Sequence, residues 1–80
     1  MIKSVEKKLK IIFKKIITKK FNDKNFKNLK IGSIKSWDSM NNLDLIFEIE
    51  REFNFKFKTK DLENATSISF FLKYLKRKNN

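Results

Sequence analysis

Few residues in this chain are equipped for chemistry. It has neither Cys nor His, so thiolate nucleophiles, disulfides, thiolate metal sites and the commonest general base are all excluded. Any thiol chemistry would have to come from a cofactor. The feature that stands out is Trp37-Asp38-Ser39-Met40, a hydroxyl placed where an apolar helical pattern begins. Such a serine is either an ordinary helix-capping residue or an exposed nucleophile awaiting modification. The helical pattern runs on from there through Asn41-Asn42-Leu43-Asp44-Leu45-Ile46-Phe47-Glu48-Ile49-Glu50-Arg51-Glu52-Phe53, which suits either reading.

The elements that must position Ser39 are read from hydrophobic periodicity, since a chain with one Gly and no Pro offers few breakpoints. Ile2, Val5, Leu9, Ile12, Phe13, Ile16 and Ile17 form one stripe, predicting a first helix over 2–17 with Ile11 on its opposite side. From Thr18 to Asp38 the pattern breaks down. Phe21, Phe26, Leu29, Ile31 and Ile34 are scattered along it and would let a long connection lie packed across a helical bundle. A second helix is expected from Ser39 to Phe53, capped by Asp38 or Ser39. Phe55–Lys58 alternates like a short extended piece. Thr59 is expected to cap one turn through Leu62, and Ser67 a last helix carrying Ile68, Phe71, Leu72 and Leu75. Residues Lys76 to Asn80 are expected to fray.

At about 100° per residue the second helix shows two apolar sectors. Leu45, Ile46, Ile49 and Phe53 make a core face. Met40, Leu43 and Phe47 make another, flanked by Asp44 on one side and Glu50 on the other, which could stay exposed as a docking patch. Asp38, Asp44, Glu48, Glu50 and Glu52 are five of the nine acids, and Arg51 is the one base among them. The segment is therefore net −4 within a chain of +11, leaving +15 on the rest. An acidic helix on a basic body could steer basic partner surfaces.

The stretch Trp37-Asp38-Ser39-Met40, the helix ending Glu50-Arg51-Glu52-Phe53, Phe55-Lys56-Phe57, the Asp61-Leu62-Glu63 turn and Thr66-Ser67-Ile68 together resemble the acyl carrier proteins. The attachment motif resembles the family's Asp-Ser-Leu type with Met40 in place of Leu. The resemblance covers about Ile31 to Leu75, and residues 1–30 agree only in pattern. It implies an all-α fold, a four-helix acyl-carrier-like bundle with a long loop between helices one and two and a short third helix, in a single domain over 1–80. It also implies that Ser39 carries 4′-phosphopantetheine from coenzyme A, presented with the help of Asp38, and that Met40, Leu43, Asp44, Phe47 and Glu50 meet partner enzymes. The expected partners are a phosphopantetheinyl transferase and acyl-loading and acyl-transfer enzymes. The chain itself would be a non-catalytic carrier.

An 80-residue chain suits such a module, since its core leaves little room for a closed active site. The nearest alternative is an aminoacyl or peptidyl carrier on the same arm. A more remote one is a basic nucleic-acid or membrane-surface module, suggested by the +11 charge and the lysine-rich first helix. Lys, Asn, Ile and Phe are all encoded by A- and T-rich codons, so base composition accounts for much of that charge. No specific nucleic-acid partner is expected. Lysines interrupt every apolar run of the N-terminal segment before signal-peptide length, and no stretch nears the roughly 20 apolar residues of a membrane span. A cytoplasmic monomer is the resulting expectation.

Overall fold

A computed structural model describes residues 2–79, with side chains over 5–77. The chain is all-α: α1 (Ile2–Ile16), a 3₁₀ helix (Asp23–Asn28), α2 (Ser39–Phe53), α3 (Thr59–Leu62) and α4 (Ile68–Asn79). Among the described residues there is no strand, only an isolated antiparallel bridge between Lys30 and Ser67.

Steps of four, three and one residues put Val5, Leu9, Ile12 and Phe13 on one side of α1, and all four are buried. Ile17 closes the stripe just beyond the helix, Ile16 is half-buried, and the side chain of Ile2 lies outside the described residues. The stripe faces α2 and α4. Ile11, 59% exposed, is the large apolar side chain that α1 turns outward. The face that a membrane-lying helix would need is thus already spent on the core.

The connection from Thr18 to Asp38 is long but anchored. Asn22 caps its 3₁₀ turn by accepting from the Lys24 N–H at 2.9 Å, and Phe26, inside that turn, is fully buried. Next, the Ile31 N–H donates to the Thr66 carbonyl at 2.8 Å and the Ile68 N–H to the Leu29 carbonyl at 3.0 Å, fastening the connection to the start of α4. Gly32, at φ +89°, then takes the left-handed conformation that other residues resist, and its N–H reaches the Trp37 carbonyl at 3.0 Å. The turn delivers Trp37 into the core. Phe13 is the hub there, meeting Phe21, Phe26 and Trp37 edge-to-face at centroid distances of 5.3, 5.6 and 5.1 Å.

At its far end α2 stops on Asn54, whose φ of +57° is the left-handed closing residue. The N–H groups of Asn54 and Phe55 both bond the Glu50 carbonyl. The segment after it, residues 55–58, joins no strand and reaches Lys58 in an extended conformation, and Phe57 packs inward against Tyr74 and Phe71. Two expectations need correction here. Thr59 is the first residue of α3 rather than its cap; Lys58 precedes the helix, and no side chain caps it. The last helix runs through Asn79 where fraying from Lys76 was expected, and Asn80 lies outside the described residues. Ser67 does cap α4, its hydroxyl accepting from the Phe70 N–H at 3.2 Å.

Burial divides α2 into two faces with different expected sensitivities. Leu45→Ala or Ile49→Ala removes fully buried methyl groups and should cost about 2–5 kcal/mol. Phe47→Ala, at a residue 61% exposed, should leave the melting temperature nearly unchanged. Thermal unfolding of the three variants checks this; a Phe47→Ala protein that melts as early as Leu45→Ala would make Phe47 a core residue.

Candidate functional site

Ser39 is the first residue of α2, directly after Asp38, the N-cap. The Asp38 carboxylate accepts from the Asn41 N–H at 2.9 Å, and the Asp38 carbonyl accepts the first intrahelical bond, from the Asn42 N–H at 2.8 Å. Of the two capping candidates, then, Asp38 satisfies the backbone and Ser39 is spared. Ser39 is exposed, and its hydroxyl has no hydrogen-bond partner among the described residues. The N–H groups of Ser39 and Met40 precede the intrahelical ladder, and they project at the positive end of a 15-residue helix.

The start of α2 is held by a polar network that sequence reasoning missed. The Trp37 indole N–H donates to the Asn42 side-chain oxygen at 2.9 Å, and the Asn42 amide N–H donates to the Ala65 carbonyl at 3.0 Å. Asn42 is the one buried polar residue among those described. Alongside it, the Ser36 hydroxyl donates to the Ile17 carbonyl at 2.9 Å and the Asn41 amide to the Ser36 carbonyl at 2.6 Å. Residues 36–42 are thereby stitched to the end of α1 and to the turn before α4. A signal was present in the sequence: Asn42 falls inside the core arc of α2, where a polar side chain needs a buried partner.

The two sectors of α2 separate in space. Leu45, Ile46 and Ile49 are buried and Phe53 is partly so, whereas Met40, Leu43 and Phe47 are 79%, 52% and 61% exposed. The acids of the helix behave less uniformly. Asp44 is exposed. Glu48 bonds Lys15 of α1 at 3.0 Å and Arg51 at 2.8 Å, and the hydrogen bonds from Lys15 and then Arg51 hold its carboxyl below the ordinary glutamate value of 4.5. Glu50, half-buried, accepts the Phe57 N–H at 2.8 Å. Asp38, Glu48 and Glu50 are therefore engaged within the fold, and Asp44 and Glu52 are the acids of this segment left facing solvent.

No protein-family model, curated protein or solved structure matches this chain. Among the described residues no three His, Cys, Asp or Glu side chains gather as metal ligands, and no helix is long and apolar enough to cross a membrane.

Both the polar network and the ion pair can be tested by single substitutions. Asn42→Ala leaves the Trp37 N–H and the Ala65 carbonyl buried without partners and should destabilise the fold by at least about 2 kcal/mol in denaturant unfolding. Glu48, whose pKa is lowered by folding, stabilises the protein above the ordinary glutamate value, and that contribution fades as pH falls through its depressed folded value. Glu48→Gln should accordingly be less stable than wild type at neutral pH and converge with it in acid, as melting curves across the acid range would register.

Proposed function

We propose that this chain is an acyl carrier protein, tethering acyl groups as thioesters on 4′-phosphopantetheine attached to Ser39 and delivering them to partner enzymes. The observation that carries the reading is the state of Ser39: an exposed, unbonded hydroxyl on the first residue of a helix whose capping is done by its neighbour. The residues fit the group. The N–H groups of Ser39 and Met40 are left by the cap to meet phosphodiester oxygens, and the helix dipole favours the anion. The Asp38 carboxylate, which would repel it, is occupied by the Asn41 N–H.

In this reading, on a separate transferase with magnesium, the Ser39 hydroxyl would attack the pantetheine-side phosphorus of coenzyme A's pyrophosphate and pass its proton to a base of the transferase; the P–O–P bond would break, adenosine 3′,5′-bisphosphate would leave, and Ser39 would be left as a phosphodiester. No base of the carrier is needed, which suits a site lacking His. When bound, the arm supplies the thiol that the sequence lacks. The fold contributes a rigid base for the tether, and a tethered thioester reaches partner active sites at high effective concentration. The four α-helices, the long packed connection and the short α3 support a four-helix acyl-carrier bundle. Met40, Leu43, Asp44 and Phe47, exposed beside Ser39 along α2, are the proposed contacts for transferase, acyl-loading and acyl-transfer enzymes. Glu50 belongs to that set by position, though its carboxylate already serves the Phe57 N–H.

Incubation with a broad-specificity phosphopantetheinyl transferase, coenzyme A and magnesium should add one cofactor mass, mapping to Ser39 by peptide mass spectrometry. Ser39→Ala should abolish loading with melting unchanged, because Ser39 caps nothing. Asp38→Ala should cost about 1 kcal/mol of stability through the lost cap. Wild-type protein that several such transferases leave unmodified, or modify elsewhere, would overturn the reading.

A further inference from the structure

We infer that the exposed face of α2 docks a protein segment with the opposite polarity to its own: a basic group against Asp44, an apolar side chain beside Phe47, and a carboxylate against Arg51 and Lys56. The inference rests on the reading of α2 as the partner-facing helix and adds the chemistry of the partner. A uniformly acidic helix would call for a uniformly basic partner. The structure does not leave that helix uniformly acidic.

Near its start the face offers Asp44, exposed and outside every ion pair described. Toward its end cations outnumber acids, Lys15, Arg51 and Lys56 against Glu48 and Glu50, while exposed Glu52 lies on the α1 side of the helix beside Lys8 and Ile11. The Glu50 carboxylate takes the Phe57 N–H. The Glu48 carboxylate is shared by two cations, Lys15 and Arg51, so one positive charge remains in excess there. The Arg51 side chain stays 70% exposed, and a guanidinium has donors to spare after one carboxylate contact. Lys56, also exposed, joins it across a surface pocket of about 400 Å³ lined by Phe47, Glu50, Arg51, Asn54, Phe55 and Lys56. The face therefore runs from negative near Ser39 to positive at the far end of the helix.

The apolar part of the pocket is built to receive a side chain. Phe47 stands exposed on one wall. Phe55 forms another, held in place by its ring contacts with Phe57 at 4.9 Å and Tyr74 at 5.8 Å. A wall fixed before binding loses little freedom on docking, and apolar anchors in pockets carry most of the energy at such interfaces. The charges around them set register and direction. A segment that seats its apolar residue here and its carboxylate on Arg51 and Lys56 is fixed in direction, with its basic end toward Ser39.

The probe is a short, terminally blocked peptide carrying one Phe with Glu on one side and Lys on the other, compared with a twin carrying Lys on both sides. Each is titrated into ¹⁵N-labelled protein at physiological ionic strength, with amide shifts as the readout. The Glu peptide should shift Asp44, Phe47, Arg51, Phe55 and Lys56, and the Lys twin should leave Arg51 and Lys56 unshifted. Arg51→Glu combined with Lys56→Glu should weaken the Glu peptide by roughly tenfold, the loss of two exposed charge pairs, while circular dichroism shows the fold retained. Lys73→Glu combined with Lys76→Glu, on α4, should leave its binding unchanged. Equal weakening by both double variants would mean diffuse attraction to a basic body, and would overturn the inference. So would shifts mapping elsewhere, or no shifts from either peptide. Transferase loading of the same samples keeps the two readings apart: unmodified Ser39 counts against the carrier, and a modified protein indifferent to the peptides counts against the docking polarity alone.

Discussion

The arrangement depends on one buried side chain, Asn42, which accepts the Trp37 indole N–H and donates to the Ala65 carbonyl. Each of those three groups is out of contact with water, so each would be costly without the others. The consequence is positional. Trp37 ends the long connection, Asn42 lies in the first turns of α2, and Ala65 lies in the turn leading to α4. The neighbouring Trp37 and Asn42 and the turn at Ala65, 23 residues beyond Asn42, can satisfy their polar atoms only in one mutual register, and Ser39 sits inside the short loop between the first two.

Around that point the core supplies bulk rather than direction. Phe13 gathers Phe21, Phe26 and Trp37, while a second aromatic group at the other end joins Phe55, Phe57, Phe70, Phe71 and Tyr74. Apolar packing of this kind tolerates rotation and sliding better than a hydrogen bond does. The polar network and the Lys30–Ser67 bridge remove that freedom, and the Lys15–Glu48–Arg51 cluster ties α1 to α2 at the surface. An exposed cluster of this sort contributes modestly to stability. Its larger effect is on charge, since it withdraws Glu48 from the free acids of α2.

Much of this was legible in local pattern. The bounds of α2, Ser39 to Phe53, follow from an Asp cap and two apolar sectors, and the stripe of α1 anticipates its buried residues together with outward-facing Ile11. The anchors of the connection were readable as scattered apolar residues, but its 3₁₀ turn was not, because Asp23–Asn28 contributes a single buried residue, Phe26, to a polar stretch. Thr59 looked like a cap because its residue type suits one; the backbone enters the helix one residue earlier than that reading required. The polar roles were the least legible. Asn42 meets a carbonyl 23 residues away and Glu48 a lysine 33 residues away, and no local pattern announces such partners. The same holds for the Glu50 carboxylate, which the helix projection put at the edge of a docking patch and the fold turned toward Phe57.

The burial of Trp37 has an optical consequence. It is the sole tryptophan in the chain, it is 1% exposed, it stands two residues before Ser39, and its indole N–H is fixed on Asn42. Emission excited at the red edge of the protein band therefore comes from one ring. Any event that loosens the first turn of α2 must disturb that hydrogen bond, and admitted water would shift the emission to longer wavelength. The molecule thus carries its own fluorophore at the root of the proposed tether, able to register without a label whether the seat of Ser39 stays closed.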